Sequence, residues 1–378
     1  MTLDTKLIHA GQEPDPVTGA VNVPINVSST FKQDGIGQMR SGYEYARSGN
    51  PTRNSLEATL AAIENGGFAK AFASGLAAEN TLLSLLHSGD EVVGTSDIYG
   101  GTYRLLTKVF PRFGVTFRAV NGHNPADFKK QLSSRTRLIW VETPTNPLLN
   151  LVDIASIAEL KPKNVLLAVD NTFASPYFQT PLDLGADVVV HSATKYLSGH
   201  SDVIGGALVY KDKALDEEIR YLHNAQGGIL SPFDSYLIQR GIKTLGVRMK
   251  RHEQTAWKVA EFLRGHSKAE KVFFAGFEDH PGAAVAKKQM RGQPGLVSFV
   301  LKGTKSDVNR FFQSLKLFTF AESLGGVESL TCYPYEMTHG SIPAEVKDKI
   351  GITDRLIRLS VGLEDANELI EDLKSALK

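Results

Sequence analysis

Two short segments of the chain end in residues that do chemistry in combination. The apolar run Val165-Leu166-Leu167-Ala168-Val169 closes on Asp170-Asn171-Thr172, and the next one, Val188-Val189-Val190, closes on His191-Ser192-Ala193-Thr194-Lys195. In an open α/β sheet ligand groups gather where strands end at their carboxyl edge, so these runs deliver an acid, two hydroxyls and an amine to one edge. A carboxylate there can meet a protonated ring nitrogen, Ser192 and Thr194 can donate to phosphate, and Lys195 can form an imine. Those are the parts that a pyridoxal phosphate site requires, because the cofactor delocalises a carbanion into a pyridinium ring and an adjacent acid, Asp170, keeps that ring protonated. A third segment, Ser74-Gly75-Leu76-Ala77-Ala78, reads as a turn into a helix. Glycine lets backbone approach there, and free N–H groups at the helix start face an anion.

The elements that must position these groups alternate between about residues 51 and 210. Strands are expected at 69–74, 91–95, 115–120, 137–142, 165–170, 187–191 and 207–210, with helices at 76–86, 101–110 and 127–132. Apolar runs without strict alternation suit strands covered on both faces, so the fold class is α/β, a mainly parallel sheet flanked by helices. Residues 1–50 mix turn formers (Pro14, Pro16, Gly19, Pro24, Gly35, Gly42) with apolar and aromatic side chains (Ile8, Val21, Ile25, Val27, Phe31, Tyr45) and show little helical period. They read as an extended arm that must pack on something, and in a chain of this size that something can be another subunit. A long helix-favouring segment at 232–265 carries the domain junction, giving a large domain at 51–243 and a smaller α+β domain at 244–378. The latter is expected to hold strands at 271–275, 296–301, 317–322 and 356–361 and helices at 307–315 and 365–377.

Composition excludes several classes of function. Lys plus Arg total 42 against 41 for Asp plus Glu, a net charge of +1, so no global basic field exists to hold nucleic acid or an acidic membrane surface. The one cysteine, Cys332, cannot close an intramolecular disulfide or build a CxxC metal site. Met1-Thr2-Leu3-Asp4-Thr5-Lys6 lacks the apolar run of a signal peptide, and no stretch approaches the roughly 18 apolar residues of a membrane span, so a cytoplasmic location is expected. His191, His200 and His339 lack metal-ligand spacing, and no metal is expected.

The segment Ser192-Ala193-Thr194-Lys195-Tyr196-Leu197-Ser198-Gly199-His200-Ser201-Asp202 closely resembles the cofactor-attachment signature of the trans-sulfuration, or Cys/Met metabolism, family of pyridoxal-phosphate enzymes. Tyr43-Glu44-Tyr45-Ala46-Arg47-Ser48-Gly49-Asn50-Pro51-Thr52, Tyr99-Gly100-Gly101-Thr102, Glu142-Thr143-Pro144-Thr145-Asn146-Pro147, Asp170-Asn171-Thr172, the block from Glu322-Ser323 to Ser329 and Arg358-Leu359-Ser360-Val361-Gly362 look like family blocks in family order. The resemblance implies a fold-type I, aspartate-aminotransferase-like subunit and a homotetramer made of two dimers, each site being shared across a dimer interface.

It also implies roles for individual residues. Tyr45 and Arg47 would reach the neighbouring subunit's cofactor phosphate, Gly75 and Leu76 would lie at the phosphate, Tyr99 would stack on the ring and donate a proton near the leaving sulfur, and Asn146 would meet the ring hydroxyl. Lys195 would carry the cofactor and, once displaced by the substrate amine, act as general base. Ser323 would steady that lysine and the substrate. Arg358 sits in an apolar strand where an unpaired charge is costly, so it needs an anion, and the resemblance supplies the substrate α-carboxylate. Glu44, Arg104 and Glu322 match positions that present charge to the distal end of cystathionine. Glu322 with Ser323 looks like the γ-lyase and γ-synthase branch, so cleavage of cystathionine at Cγ is expected, with side β-cleavage or cysteine desulfhydration and with γ-synthesis as the close alternative. A catalytically idle binding protein would be marked by loss of Lys195, Asp170 or Arg358, and all three are present.

Overall fold

The structure, a computed structural model, describes residues 1–120 and 122–378. Strands β1 (Phe68–Phe72), β2 (Glu91–Thr95), β3 (Thr116–Val120), β4 (Thr136–Glu142), β5 (Leu166–Asp170), β6 (Val188–Ser192) and β7 (Gly206–Tyr210) form one sheet in the order β1-β7-β6-β5-β4-β2-β3. Pairing is parallel from β3 through β2, β4 and β5 to β6, while β7 is antiparallel to both its neighbours. β1 therefore points the same way as β6, and the carboxyl ends of β1, β4, β5 and β6 share one edge. Successive side chains of a strand face opposite ways. Ile139, Val141, Leu167, Val169 and Val189 pack on one side with Leu56, Leu60 and Ile63 of the Pro51–Ile63 helix. Leu138, Trp140, Ala168, Val188 and Val190 pack on the other with Ala78 and Leu82 of the Gly75–Leu83 helix. Both faces are covered, which is why these runs are apolar without alternation.

The second sheet comprises β8 (Ala269–Phe273), β9 (Leu296–Leu301), β10 (Thr319–Phe320), β11 (Leu330–Cys332) and β12 (Leu356–Ser360) in the order β10-β11-β12-β9-β8. It packs with the Leu245–Gly265, Lys305–Ser314 and Ala366–Ala376 helices around Val259, Leu263, Phe299, Phe311, Ile357 and Leu369. The long segment at 232–265 is two helices, Pro232–Ile242 and Leu245–Gly265, broken at Lys243-Thr244. Among the described residues no helix is long and apolar enough to cross a membrane.

Four expectations need correction. The first fifty residues are not wholly extended: Leu3–His9 is a helix whose Leu7 enters the main core, and Thr59 Oγ1 donates to the Ala10 carbonyl at 2.6 Å. The expected helix at 101–110 is only Gly100–Arg104, followed by a π-turn over Leu105–Val109 and a 3₁₀ turn over Phe110–Phe113. Pro111 causes the break, since it has no N–H to donate and its ring crowds the carbonyl of residue 107. The strand at 317–322 is two residues long, and the three-residue β11 is too short to leave a periodic signal. Helices Ala283–Gln289 and Ala344–Ile350, one turn or two in length, were likewise not expected.

Candidate active site

The shared strand edge forms the floor of a cavity of about 240 Å³. β4 ends at Glu142, β5 at Asp170 and β6 at Ser192, and Glu142 and Asp170 are in register on adjacent strands. Beyond β1 the chain turns at Ser74, whose side chain accepts the Ala77 N–H at 3.0 Å and starts the Gly75–Leu83 helix. The first N–H groups of a helix have no partner within it, so Gly75 and Leu76 aim donors and the positive end of the helix dipole at the cavity. A Cβ at 75 would be crowded, lying 3.1 Å from the Ser192 Cβ and 3.2 Å from its Cα. Ser192, Thr194 and Lys195 line the same wall, although the Thr194 hydroxyl is engaged with the backbone of Gly205, donating at 3.2 Å and accepting at 3.0 Å.

The opposite wall comes from the second sheet. Arg358, in the middle of β12, is 2% exposed and donates to Asn146 Oδ1 at 2.8 Å and to the Ser323 carbonyl at 3.0 Å. Its Nε is buried without a partner, and among the described residues no carboxylate pairs with it. A buried guanidinium held only by neutral acceptors is an anion receptor. Ser323 is held at φ +98°, a backbone state that costs a non-glycine residue about 1–3 kcal/mol. The strain places its carbonyl on Arg358 and its hydroxyl against Lys195, whose Nζ donates to Ser323 Oγ at 3.0 Å. Asn146 is a hub, since its carbonyl also accepts from His339 Nε2 at 3.0 Å.

Burial and neighbouring charge tune these groups. Desolvation, assisted by the Arg358 charge, lowers Lys195 to about 8. Desolvation raises Asp170, against the pull of two hydrogen bonds from Thr172 and of His191 on the far side of the sheet. Glu142 is held well above the carboxylate range by burial and by Asp170, and Glu79 by the same two causes. Burial also raises the Tyr99 phenol, keeping it protonated.

Gly75, Leu76, Tyr99, Asn146, Asp170, Ser192, Thr194, Lys195, Glu322, Ser323 and Arg358 thus meet at one cavity. Four expected residues do not line it. Tyr45 and Arg47 lie on the exposed arm, the guanidinium 5.6 Å over the tyrosine ring and donating to the Asn224 carbonyl at 2.7 Å. Glu44 is exposed beside Gln33, and Arg104 is exposed on the helix behind Tyr99. Glu79, Glu142, Thr172 and Thr338 also line the cavity and were assigned no role. Glu142 and Thr172 stood inside quoted motifs, whereas Glu79 and Thr338 carry no local signal, since only the tertiary fold turns them inward.

Comparison with known proteins gives the same picture at the level of the whole chain. The Cys/Met metabolism PLP-dependent enzyme family matches residues 4–378. The chain is 53% identical to cystathionine gamma-synthase of Mycobacterium leprae over 377 residues, 99% of this chain and 96% of that protein. It is 49% identical to cystathionine beta-lyase of Coxiella burnetii, covering 99% of this chain and 97% of the other. The solved structure of cystathionine gamma-lyase from Lactobacillus plantarum in complex with L-serine superposes with a TM-score of 0.97 at 48% identity, over 100% of this chain and 98% of that one.

The residues present fit pyridoxal phosphate: an amine lowered toward neutrality, a buried acid across the cavity and an anion cradle at a helix start that a single Cβ at position 75 would crowd. The architecture is that of fold type I.

Proposed function

The chain belongs to the Cys/Met metabolism PLP-dependent enzymes, and on that premise we propose that it is a cystathionine γ-lyase, converting L-cystathionine and water to L-cysteine, 2-oxobutyrate and ammonia. The observation that carries the reading is the placement of two opposite charges on one cavity: Arg358, buried and without an acid partner, and Glu322, exposed at the mouth. Cystathionine bears a carboxylate at the reacting end and an ammonium at the distal end, so it can satisfy both. Methionine, with an apolar thioether at its distal end, gains nothing from Glu322.

Bound pyridoxal phosphate supplies an electron sink that acidifies the substrate carbon next to the amine. Lys195 would tether it, Asp170 would face its ring nitrogen, Tyr99 its ring face and Asn146 its ring hydroxyl, while the Gly75 and Leu76 N–H groups with Ser192 and Thr194 would hold its phosphate. Tyr45 and Arg47 would serve a neighbouring subunit's phosphate. Arg358 orients the substrate by its carboxylate, which settles which C–H bond faces Lys195 Nζ. Cleavage at Cγ needs a proton taken from Cα and another from Cβ. A lysine with a value of about 8, steadied by Ser323 Oγ, can take and return protons near neutrality. Tyr99, kept as the phenol, has a proton to give to the departing sulfur.

A second reading, γ-synthesis from an O-acylated homoserine and cysteine, is favoured by the 53% identity to a protein named as a γ-synthase. Incubation with L-cystathionine, with the keto acid identified, tests the first reading. 2-Oxobutyrate with cysteine supports it, whereas pyruvate with homocysteine would replace it with β-cleavage. Cystathionine formed from an O-acylhomoserine and cysteine, faster than it is cleaved, would establish the synthase instead.

A further inference from the structure

We propose that Glu142 is a positioning residue, whose two carboxylate oxygens span the turns carrying Tyr99 and Asn146 and fix the spacing of those residues over the cavity; the inference rests on the roles given to them above. Oε2 accepts the Tyr99 N–H at 2.8 Å and Oε1 accepts the Asn146 N–H at 2.7 Å. Tyr99 follows β2 and Asn146 follows β4, and no other acceptor among the described residues takes either N–H. The side chain is therefore the tie between the residue that faces the ring and the residue that holds Arg358 by its Oδ1. A displacement of Asn146 would reach the substrate's carboxylate through that guanidinium.

An acid at this position is otherwise unfavourable. Glu142 is 4% exposed and stands in register beside Asp170, so burial and like charge both oppose it. An isosteric amide would avoid both penalties, but it offers one acceptor and turns its NH₂ toward the second N–H. The two backbone N–H groups, one on each oxygen, favour the ionised form against those penalties, and only a carboxylate takes both at once. Glu79, another buried acid on the cavity wall, leaves Oε2 without a partner among the described residues.

The test is Glu142→Gln in the holoenzyme. Position errors of about 1 Å cost around 10²-fold, so kcat/KM on cystathionine should fall by about that factor, through lower kcat as Tyr99 shifts and higher KM as Arg358 follows Asn146. Borohydride should still trap the cofactor on Lys195, and the visible circular dichroism of the bound cofactor, which reports its orientation, should lose amplitude. Glu142→Asp keeps two oxygens on a shorter arm that reaches one amide, so its losses should be smaller. Wild-type kcat/KM and an unchanged dichroism band in either folded variant would overturn the proposal. If neither variant folds, hydrogen exchange in the wild-type holoenzyme decides: protected amides at both Tyr99 and Asn146 support it, and rapid exchange at either overturns it. A wild type that makes cystathionine rather than cleaving it would overturn the proposed reaction alone, because dichroism, trapping and exchange need no substrate.

Discussion

At Lys195, burial beside Arg358 brings the ammonium down to about 8. At pH 7 roughly one amine in ten is then neutral, against roughly one in 2,500 at the ordinary lysine value of about 10.4. The neutral form is the nucleophile, so the apoprotein should take up pyridoxal phosphate at a rate that climbs as pH rises through about 8 and then levels. A rate still climbing near pH 10, about the ordinary lysine value, would show an unshifted amine. Lys195→Ala should leave a folded protein without turnover. The Arg358 guanidinium has two neutral partners and no acid among the described residues, so Arg358→Ala should cost about 3 kcal/mol in kcat/KM, or around 10²-fold, with the loss visible in KM. Steady-state kinetics on cystathionine measure it, and an unchanged KM would remove its carboxylate-binding role. Both residues were legible from their neighbours in the chain, an amine after an apolar strand and a charge inside one. The strain at Ser323 that joins them was not, because a φ of +98° is imposed by two distant partners and not by the local sequence.

The strand ends carry the site on one face and a buried polar chain on the other. Asp170 and Ser192 face the cavity, while the next residue after one and the residue before the other, Asn171 and His191, bind Glu64 Oε1 from the opposite side at 2.8 and 2.5 Å. The chain continues through Gln179 to Gln289, whose helix belongs to the segment beyond Gly265. Glu64→Ala would strip the acceptor from a buried histidine and a buried amide, and leaving a buried polar group without its partner costs about 1–3 kcal/mol. Denaturant unfolding of the holoenzyme should show a loss of that size. The start of the Gly75–Leu83 helix is the second element on which the site depends. A Cβ on Gly206 would sit 2.1 Å from the Ser74 carbonyl oxygen, so the backbone there must shift. Gly206→Ala should displace that turn, weakening pyridoxal phosphate binding in titration and lowering the melting temperature, whereas an unaltered affinity would show that the turn does not hold phosphate.

For the whole molecule, the arm is the part left unfinished in one chain. Val17, Val21, Val27 and Ile36 are each at least 76% exposed, and Tyr45 and Arg47 stand away from the cavity. A second copy of the chain, as in the proposed homotetramer, would cover apolar side chains of this kind. On the proposed homotetramer with shared sites, Arg47→Ala and Lys195→Ala damage different halves of a site. Mixed subunits of the two variants should therefore recover activity that neither shows alone, because some sites then combine an intact arm with an intact lysine. No recovery after confirmed subunit exchange would show that each site is complete within one chain.

The sequence by itself determined the strands, since a buried strand must be apolar along its whole length, and it determined the residues that follow them, since those residues alone among the apolar runs could bind a cofactor. It also carried the family blocks from which lysine, acid and arginine were named. What only the tertiary structure decided was which of these residues share a space: that Glu79 and Thr338 turn inward, that Glu142 ties two loops, and that Glu44, Arg104, Tyr45 and Arg47 lie off the cavity of their own chain. Periodicity reports which face of an element is buried, but not what that face meets, because contacts between segments far apart in the chain leave no trace in either one alone.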